Sequence, residues 1–185
     1  MIDEILQETK ERMEKSVKAF EKEMAKVRTG RASTALLDNV RVDYYGTSTP
    51  LNQMASISVP ESRLLTVKPW DGSVIKDVEK AILKANLGVT PSNDGKLIRI
   101  SIPPLTEDRR KEIVKSVNQT CEEYKVAIRN IRRDSNENLK DLQKEGDISE
   151  DDSFKAQKSV QDLTDKHIQK LDDIFAEKEK EILEV

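Results

Sequence analysis

The chain has 185 residues, of which 36% are charged and only 4% aromatic, and its formal net charge is −3. This composition favours a helix-rich, elongated protein with a narrow aliphatic core. The single cysteine, Cys121, excludes an internal disulfide, and no stretch approaches the roughly 18 consecutive apolar residues of a membrane span. Because neither a signal run nor a transit segment follows Met1, we expect a soluble, cytoplasmic protein.

Residues 2–29 predict the first long helix. Apolar residues recur there at the three-then-four spacing of one helix face, at Ile2, Leu6, Met13, Val17, Phe20, Met24 and Val27. Gly30 is expected to end the helix in the left-handed conformation. The cations Lys26, Arg28 and Arg31 cluster near the C-terminal end, where they complement the helix dipole.

Between residues 31 and 104 the pattern changes to short alternating segments separated by glycine and proline. Strands are predicted at residues 40–44, 57–59, 64–68 and 97–102, and a short helix at residues 73–86. Trp70 is expected to cover the core of this part. The composition shift predicts a small β/α/β domain inserted into a helical one.

The two connections of the insert have a composition typical of a joint. The chain enters the insert through Thr29, Gly30 and Arg31, and it leaves through Pro103 and Pro104. Tandem prolines make a stiff, extended connection, and a glycine at the end of an element absorbs dihedral change easily. We predict a hinge at these five residues, with residues 1–30 and 105–185 forming one domain and residues 31–104 the other.

The longest predicted helix covers residues 106–145, contains neither glycine nor proline, and would span roughly 60 Å. Eight basic and three acidic residues lie between Arg109 and Arg133, a local charge of +5. Helical projection places four cations on one ridge beside the apolar stripe: Lys125, Arg129, Arg132 and Arg133. Such a ridge suits phosphate, although an ordinary solvated helix face has the same pattern.

A third helix is predicted from Ser149, whose side chain can cap its N-terminus, to the end of the chain. Its stripe consists of Phe154, Val160, Leu163, Leu171, Ile174 and Ile182. Eleven acids and six lysines give this helix a charge of −5. Together the elements predict an α+β protein, an elongated antiparallel three-helix bundle that carries the inserted domain.

Four separated segments resemble the bacterial ribosome recycling factor family across the whole chain. They are KVRTGRAS at residues 26–33, YYGT with TPL at residues 44–51, PPLTEDRRK at residues 103–111 and VAIRNIRRD at residues 126–134. One departure is Thr34, where family members often have proline. The resemblance implies an L-shaped molecule, similar in size to a transfer RNA, whose helical arm lies against large-subunit ribosomal RNA.

The resemblance also implies a function. Members bind the post-termination ribosome between its subunits, and elongation factor G with its GTP hydrolysis then separates the subunits and releases the mRNA. By position, five residues match the RNA-facing cations of the family: Arg28, Arg31, Arg110, Arg129 and Arg132. Lys125 and Arg133 are added by the helical projection alone.

No catalytic or metal motif accompanies these features. His167 is the only histidine and lacks an obvious partner, there is no phosphate-binding Gly-rich loop, and Cys/His metal spacing is absent. We therefore expect a monomeric, non-enzymatic factor without a cofactor, a small-molecule substrate or a membrane partner. Two alternatives are a coiled-coil adaptor or chaperone-like helical arm, and an enzyme housed in the insert.

Overall fold

The computed structural model describes residues 1–184 and has the predicted α+β class. In chain order the elements are α1 (Ile2–Ala25), β1 (Arg41–Tyr44), β2 (Thr47–Pro50), β3 (Ala55–Glu61), β4 (Leu64–Pro69), α2 (Ile75–Lys84), β5 (Pro91–Asn93), β6 (Ile98–Ser101), α3 (Glu107–Glu145) and α4 (Glu150–Glu184). None of the helices within residues 1–184 has the length and apolarity that a membrane span requires.

These elements group into two compact units. The first, the helical unit, comprises Met1–Val27 and Lys111–Glu184, and the second, the sheet unit, comprises Arg28–Arg110. The chain therefore passes between the units twice, near residues 27 and 110. The domain limits at residues 30/31 and 104/105 stay a prediction.

The helical unit is built from α1, α3 and α4, whose apolar stripes bury one another. Met13 and Phe20 of α1, Ile128 of α3 and Leu171 of α4 belong to one core cluster and are all inaccessible to solvent. Helices α3 and α4 form an antiparallel hairpin that turns at Gly146, whose φ of 82° is the left-handed conformation expected just beyond a helix. The predicted three-helix bundle is confirmed.

Helix α1 is shorter than predicted and ends at Ala25 rather than at residue 29. The backbone amides of Lys26 and Val27 each donate to a carbonyl three residues earlier, at 3.2 Å. Such tightened bonds satisfy the last carbonyls of a helix and close it. Gly30 does adopt a left-handed φ of 82°, but it lies in the connection after the helix.

The prediction that Phe154 heads the α4 stripe is wrong, because its side chain is 70% exposed. The buried face begins instead with Ser153, Ala156 and Val160, and it continues through Thr164 and His167. Val160, Leu171 and Ile182 of the predicted stripe are buried, so only its first residue was wrong, and the apolar pattern could not show the polar members of the face. The α4 cap is as predicted, since the Asp152 amide donates to Ser149 Oγ at 3.0 Å.

The sheet unit contains a β1–β2 hairpin and a four-stranded antiparallel sheet in the order β3-β4-β6-β5. Helix α2 buries Val78 and Ile82 in the same core as Leu65, Ile98 and Ile100 of the sheet. The sequence did not predict β2 or β5. Both strands are short and contain proline with polar residues, so they lack the alternation that marks a strand.

Trp70 does not cover the core of the sheet unit, because its side chain is 68% exposed. Along β4 the residues Leu65, Val67 and Pro69 point into the core. Side chains alternate between the two faces of a strand, so residue 70 continues the outward series. The expectation for Trp70 is therefore corrected.

Candidate nucleic-acid interface

The middle of α3 carries the predicted ridge. Ile128 and Ile131 fix its orientation, since both are buried against the other two helices. Arg129 and Arg133 lie one helical turn apart on the exposed side, and within residues 1–184 neither guanidinium has a hydrogen bond or an ion pair. Two unneutralised guanidinium groups on a rigid helix are suited to contact phosphate oxygens.

Arg132 differs from these two arginines because it is partly buried and held by α4. Its Nη1 donates to Gln161 Oε1 at 3.2 Å. Gln161 in turn donates from Nε2 to Asp165 Oδ1 at 2.8 Å. The ridge is therefore anchored to the neighbouring helix at its central cation.

The three arginines border a shallow groove of about 320 Å³ on α3. Its remaining lining residues are Asn130, Asn136, Glu137 and Lys140. Sequence reasoning stopped at Arg133 and so missed Asn136, Glu137 and Lys140, and it assigned no role to Asn130 within the ridge segment. The signal was present, because residues 133, 136, 137 and 140 follow the same three-and-four spacing as the ridge itself.

Lys125 is the exception among the four ridge cations. Its Nζ lies 2.6 Å from Asp172 Oδ1 and 3.2 Å from Glu122 Oε1, and its side chain is 15% exposed. The hydrogen bond to Asp172 raises the pKa of Lys125 above its ordinary value, although burial opposes the shift. This geometry favours a role in joining α3 to α4 over a contact with RNA.

The three remaining predicted cations, Arg28, Arg31 and Arg110, all belong to the sheet unit. The Arg28 guanidinium donates from Nη2 to the Leu87 carbonyl oxygen and so ties the connection to the loop after α2. Arg31 is exposed. Arg110 is half-buried in the first turn of α3, and its Nε is buried without a hydrogen-bond partner in the described part of the chain. The predicted cations therefore form an arginine group on α3 and separate positions in the other unit.

The predicted hinge residues lie outside regular secondary structure, next to one turn of the sheet unit. Just after the first connection, the Ala32 amide donates to the Ser62 carbonyl at 2.7 Å. Just before the second, the Ile102 amide donates to the Arg63 carbonyl at 2.8 Å. Both connections are thus fixed to the turn between β3 and β4.

His167 is buried inside the helical unit. Its Nδ1 lies 2.7 Å from the Leu163 carbonyl oxygen and donates to it, which satisfies one ring nitrogen within the same helix. This arrangement agrees with a structural histidine. Among residues 1–184 no three histidine, cysteine, aspartate or glutamate side chains are grouped so that they could hold a metal ion.

Comparison with known proteins gives consistent matches along the whole chain. The family model for ribosome recycling factor matches residues 20–183. The chain is 70% identical over 185 residues to the ribosome-recycling factor of Desulforapulum autotrophicum, and 56% identical over 185 residues to that of Bacillus subtilis. In both cases the alignment covers 100% of each chain.

Solved structures show the same likeness. The solution structure of a ribosome recycling factor matches with a TM-score of 0.79 and 38% identity, over 100% of this chain and 98% of that one. A second match has a TM-score of 0.67 and 46% identity, over 99% of each chain. It represents the T. thermophilus ribosome recycling factor and E. coli elongation factor G bound to the E. coli post-termination complex.

Proposed function

Because the chain belongs to the ribosome recycling factor family, we propose that it recycles ribosomes after translation termination. It binds the post-termination ribosome between the subunits. Elongation factor G then acts as its partner, and GTP hydrolysis by that partner drives subunit splitting and release from mRNA. The factor itself is not an enzyme, and it works in the cytoplasm, where bacterial ribosomes are found.

The observation that carries the RNA-binding part of this proposal is the pair of exposed guanidinium groups of Arg129 and Arg133 without partners in residues 1–184. Contacts to phosphate position a protein on folded RNA without reading its sequence. The overall pI of about 5.5 disfavours indiscriminate binding, because the acidic remainder of the surface repels RNA. We assign large-subunit ribosomal RNA as the ligand of the arginine group on α3.

The other predicted cations have different roles in the proposal. Arg28, Arg31 and Arg110 contact RNA from the sheet unit, with Arg28 also bracing the loop after α2. Lys125 is retained only as a marginal contact, because Asp172 and Glu122 already neutralise its ammonium group.

The proposed hinge consists of Thr29, Gly30, Arg31, Pro103 and Pro104. Its support is chemical and local: a left-handed glycine at one connection, and two prolines at the other. The hydrogen bonds of Ala32 and Ile102 to a single turn give both connections a fixed point on the sheet unit. Motion at the hinge would let elongation factor G displace the sheet unit while the arm stays bound.

The adaptor alternative has less support. An adaptor arm needs an apolar stripe that remains open for a partner, whereas Met13, Ile128 and Leu171 are buried within this chain. We accordingly propose a monomer, which sedimentation analysis can test.

The decisive experiment is breakdown of polysomes by elongation factor G and GTP, with and without this protein. We expect subunit release only when the protein is present, and a marked loss of release in the Arg129→Ala/Arg132→Ala variant. Lys18→Ala, which removes an exposed cation of α1, is the control and should behave like wild type. Full activity of the double variant, with unchanged circular dichroism, would refute the assignment of this surface.

A further inference from the structure

Among Arg129, Arg132 and Arg133, only Arg132 is held by another helix within residues 1–184. We propose that Gln161 of α4 is a positioning residue for Arg132, which it orients toward an RNA phosphate. This inference rests on the proposed function. Gln161 itself need not touch the RNA, since it acts through the guanidinium.

The direction of the hydrogen bonds fixes how the Gln161 amide is turned. Asp165 offers only acceptor oxygens, so the Gln161 group at 2.8 Å from it must be the NH₂ donor. The carbonyl oxygen Oε1 then faces Arg132, whose Nη1 donates to it at 3.2 Å. If the amide were flipped, its NH₂ group would face the Arg132 N–H donor and its carbonyl oxygen would face the Asp165 carboxylate, so only one orientation satisfies both neighbours.

A neutral amide at this position orients Arg132 without cancelling its charge. A carboxylate in its place would pair with the guanidinium and compete with phosphate for it. The Gln161 amide lies between the Asp165 carboxylate and Arg132, and Oδ1 of Asp165 accepts the hydrogen bond from Gln161 Nε2. The arrangement leaves the other N–H donors of Arg132 available, because Gln161 is its only hydrogen-bond partner within residues 1–184.

Holding a guanidinium before binding lowers the entropy lost when phosphate fixes it. Arg129 and Arg133 have no such support in the described chain, so they must be ordered by the RNA itself. Arg132 therefore fixes the position of the helical unit on the RNA, and Arg129 and Arg133 strengthen the electrostatic attraction to phosphate.

The test measures binding of the full-length protein to purified large ribosomal subunits. Gln161→Ala should weaken binding by roughly fivefold, the scale of one net hydrogen bond. Gln161→Glu should weaken it further and lower the dependence of binding on salt, because the arginine becomes neutralised. Unfolding temperature and circular dichroism should stay close to wild type for both variants.

Helix α4 supplies a matched control in Gln169. Its Nε2 donates to Asp173 Oδ1 at 2.9 Å, the same spacing of four residues as the pair of Gln161 and Asp165. No arginine is bonded to Gln169 among residues 1–184. Gln169→Ala should therefore leave affinity unchanged, and an equal loss in this variant would overturn the inference.

A double-mutant cycle separates positioning from a general structural effect. In an Arg132→Ala background, Gln161→Ala should have no further effect on affinity. An unchanged fivefold loss in that background would show that Gln161 acts independently of Arg132. If Arg132→Ala alone leaves affinity at the wild-type value, the proposed RNA surface fails, whereas an effect of Arg132→Ala without any effect of Gln161→Ala refutes the inference alone.

Discussion

The hydroxyl oxygens of Thr9 and Ser135 lie 2.5 Å apart between α1 and α3, and both residues are almost fully buried. Thr9 Oγ1 also donates to the Ile5 carbonyl at 2.7 Å. Since its single hydrogen is used there, Ser135 must donate to Thr9. The two helices are thus joined by an ordered polar contact in the interior of the helical unit.

Removing one partner of this contact should be costly. We expect Thr9→Val to lower the free energy of unfolding by about 1–3 kcal/mol, because the Ser135 hydroxyl is left buried without an acceptor. The double variant Thr9→Val/Ser135→Ala should recover part of that loss. Urea denaturation measures both. Thr120→Val is the control, since in the described part of the chain Thr120 Oγ1 bonds only to the Ser116 carbonyl of its own helix.

Replacing the neutralised cation Lys125 and replacing Arg129, which is unpaired within residues 1–184, should have opposite effects on protein stability and on ribosome binding. Lys125→Ala removes the contacts to Asp172 and Glu122, so we expect a loss of stability on the order of 1 kcal/mol. Arg129→Ala should leave stability unchanged and weaken binding to large subunits. Denaturation and ribosome-binding assays on both variants check this, and the reverse pattern would contradict the role given to Lys125.

The contribution of Lys125 should also depend on pH in a defined direction. Its folded-state pKa is raised, chiefly by Asp172. Its stabilising contribution is therefore complete below the unfolded pKa of about 10.4 and is lost as the pH rises through the higher folded value. Wild-type protein should lose stability over this alkaline range more steeply than Lys125→Ala. Parallel curves for the two proteins would exclude this linkage.

Asp94 should stabilise the turn between β5 and β6 under all but strongly acidic conditions. The backbone amides of Leu97 and Lys96, and then the Arg99 guanidinium, lower the pKa of Asp94 to about 2. Its contribution is present above the ordinary value near 3.8 and disappears as the pH falls through about 2.

Asp94→Asn should therefore be less stable than wild type at pH 7, and the gap should close in acid. Thermal unfolding followed by circular dichroism from pH 7 to pH 2 measures the gap. The control is Asp43→Asn, because Asp43 is exposed on β1 and its carboxylate accepts no hydrogen bond among the described residues. A constant difference between wild type and Asp94→Asn down to the lowest pH would contradict the prediction.

Phe154 and Leu171 lie on the same helix but differ in burial, so their truncation should have different effects. Because the Phe154 side chain is largely exposed, Phe154→Ala should change the unfolding free energy by less than about 0.5 kcal/mol. Leu171→Ala on the same helix should cost about 2–5 kcal/mol, since Leu171 is completely buried. A large loss of unfolding free energy for Phe154→Ala in urea denaturation would show that the Phe154 side chain is part of the core after all.

The local patterns predicted much of the fold because they depend on neighbouring residues alone. Apolar spacing located the three long helices, and alternation located β1, β3, β4 and β6. Alternation of apolar and polar residues is absent from the short polar strands β2 and β5, so the sequence did not predict them. On α4 the apolar pattern located the buried residues Val160, Leu171 and Ile182, but it missed the buried polar residues of the same face, which are Ser153, Thr164 and His167.

The candidate site shows the same division. That Arg129, Arg132 and Arg133 share one side of α3 follows from the sequence, because helix geometry fixes the angle between residues three and four apart. The sequence could not determine which cations are neutralised, since Asp172 and Gln161 are remote in the chain. Only tertiary packing brings Asp172 to Lys125 and Gln161 to Arg132, so the fold of α4 against α3 decides which charges can bind a partner.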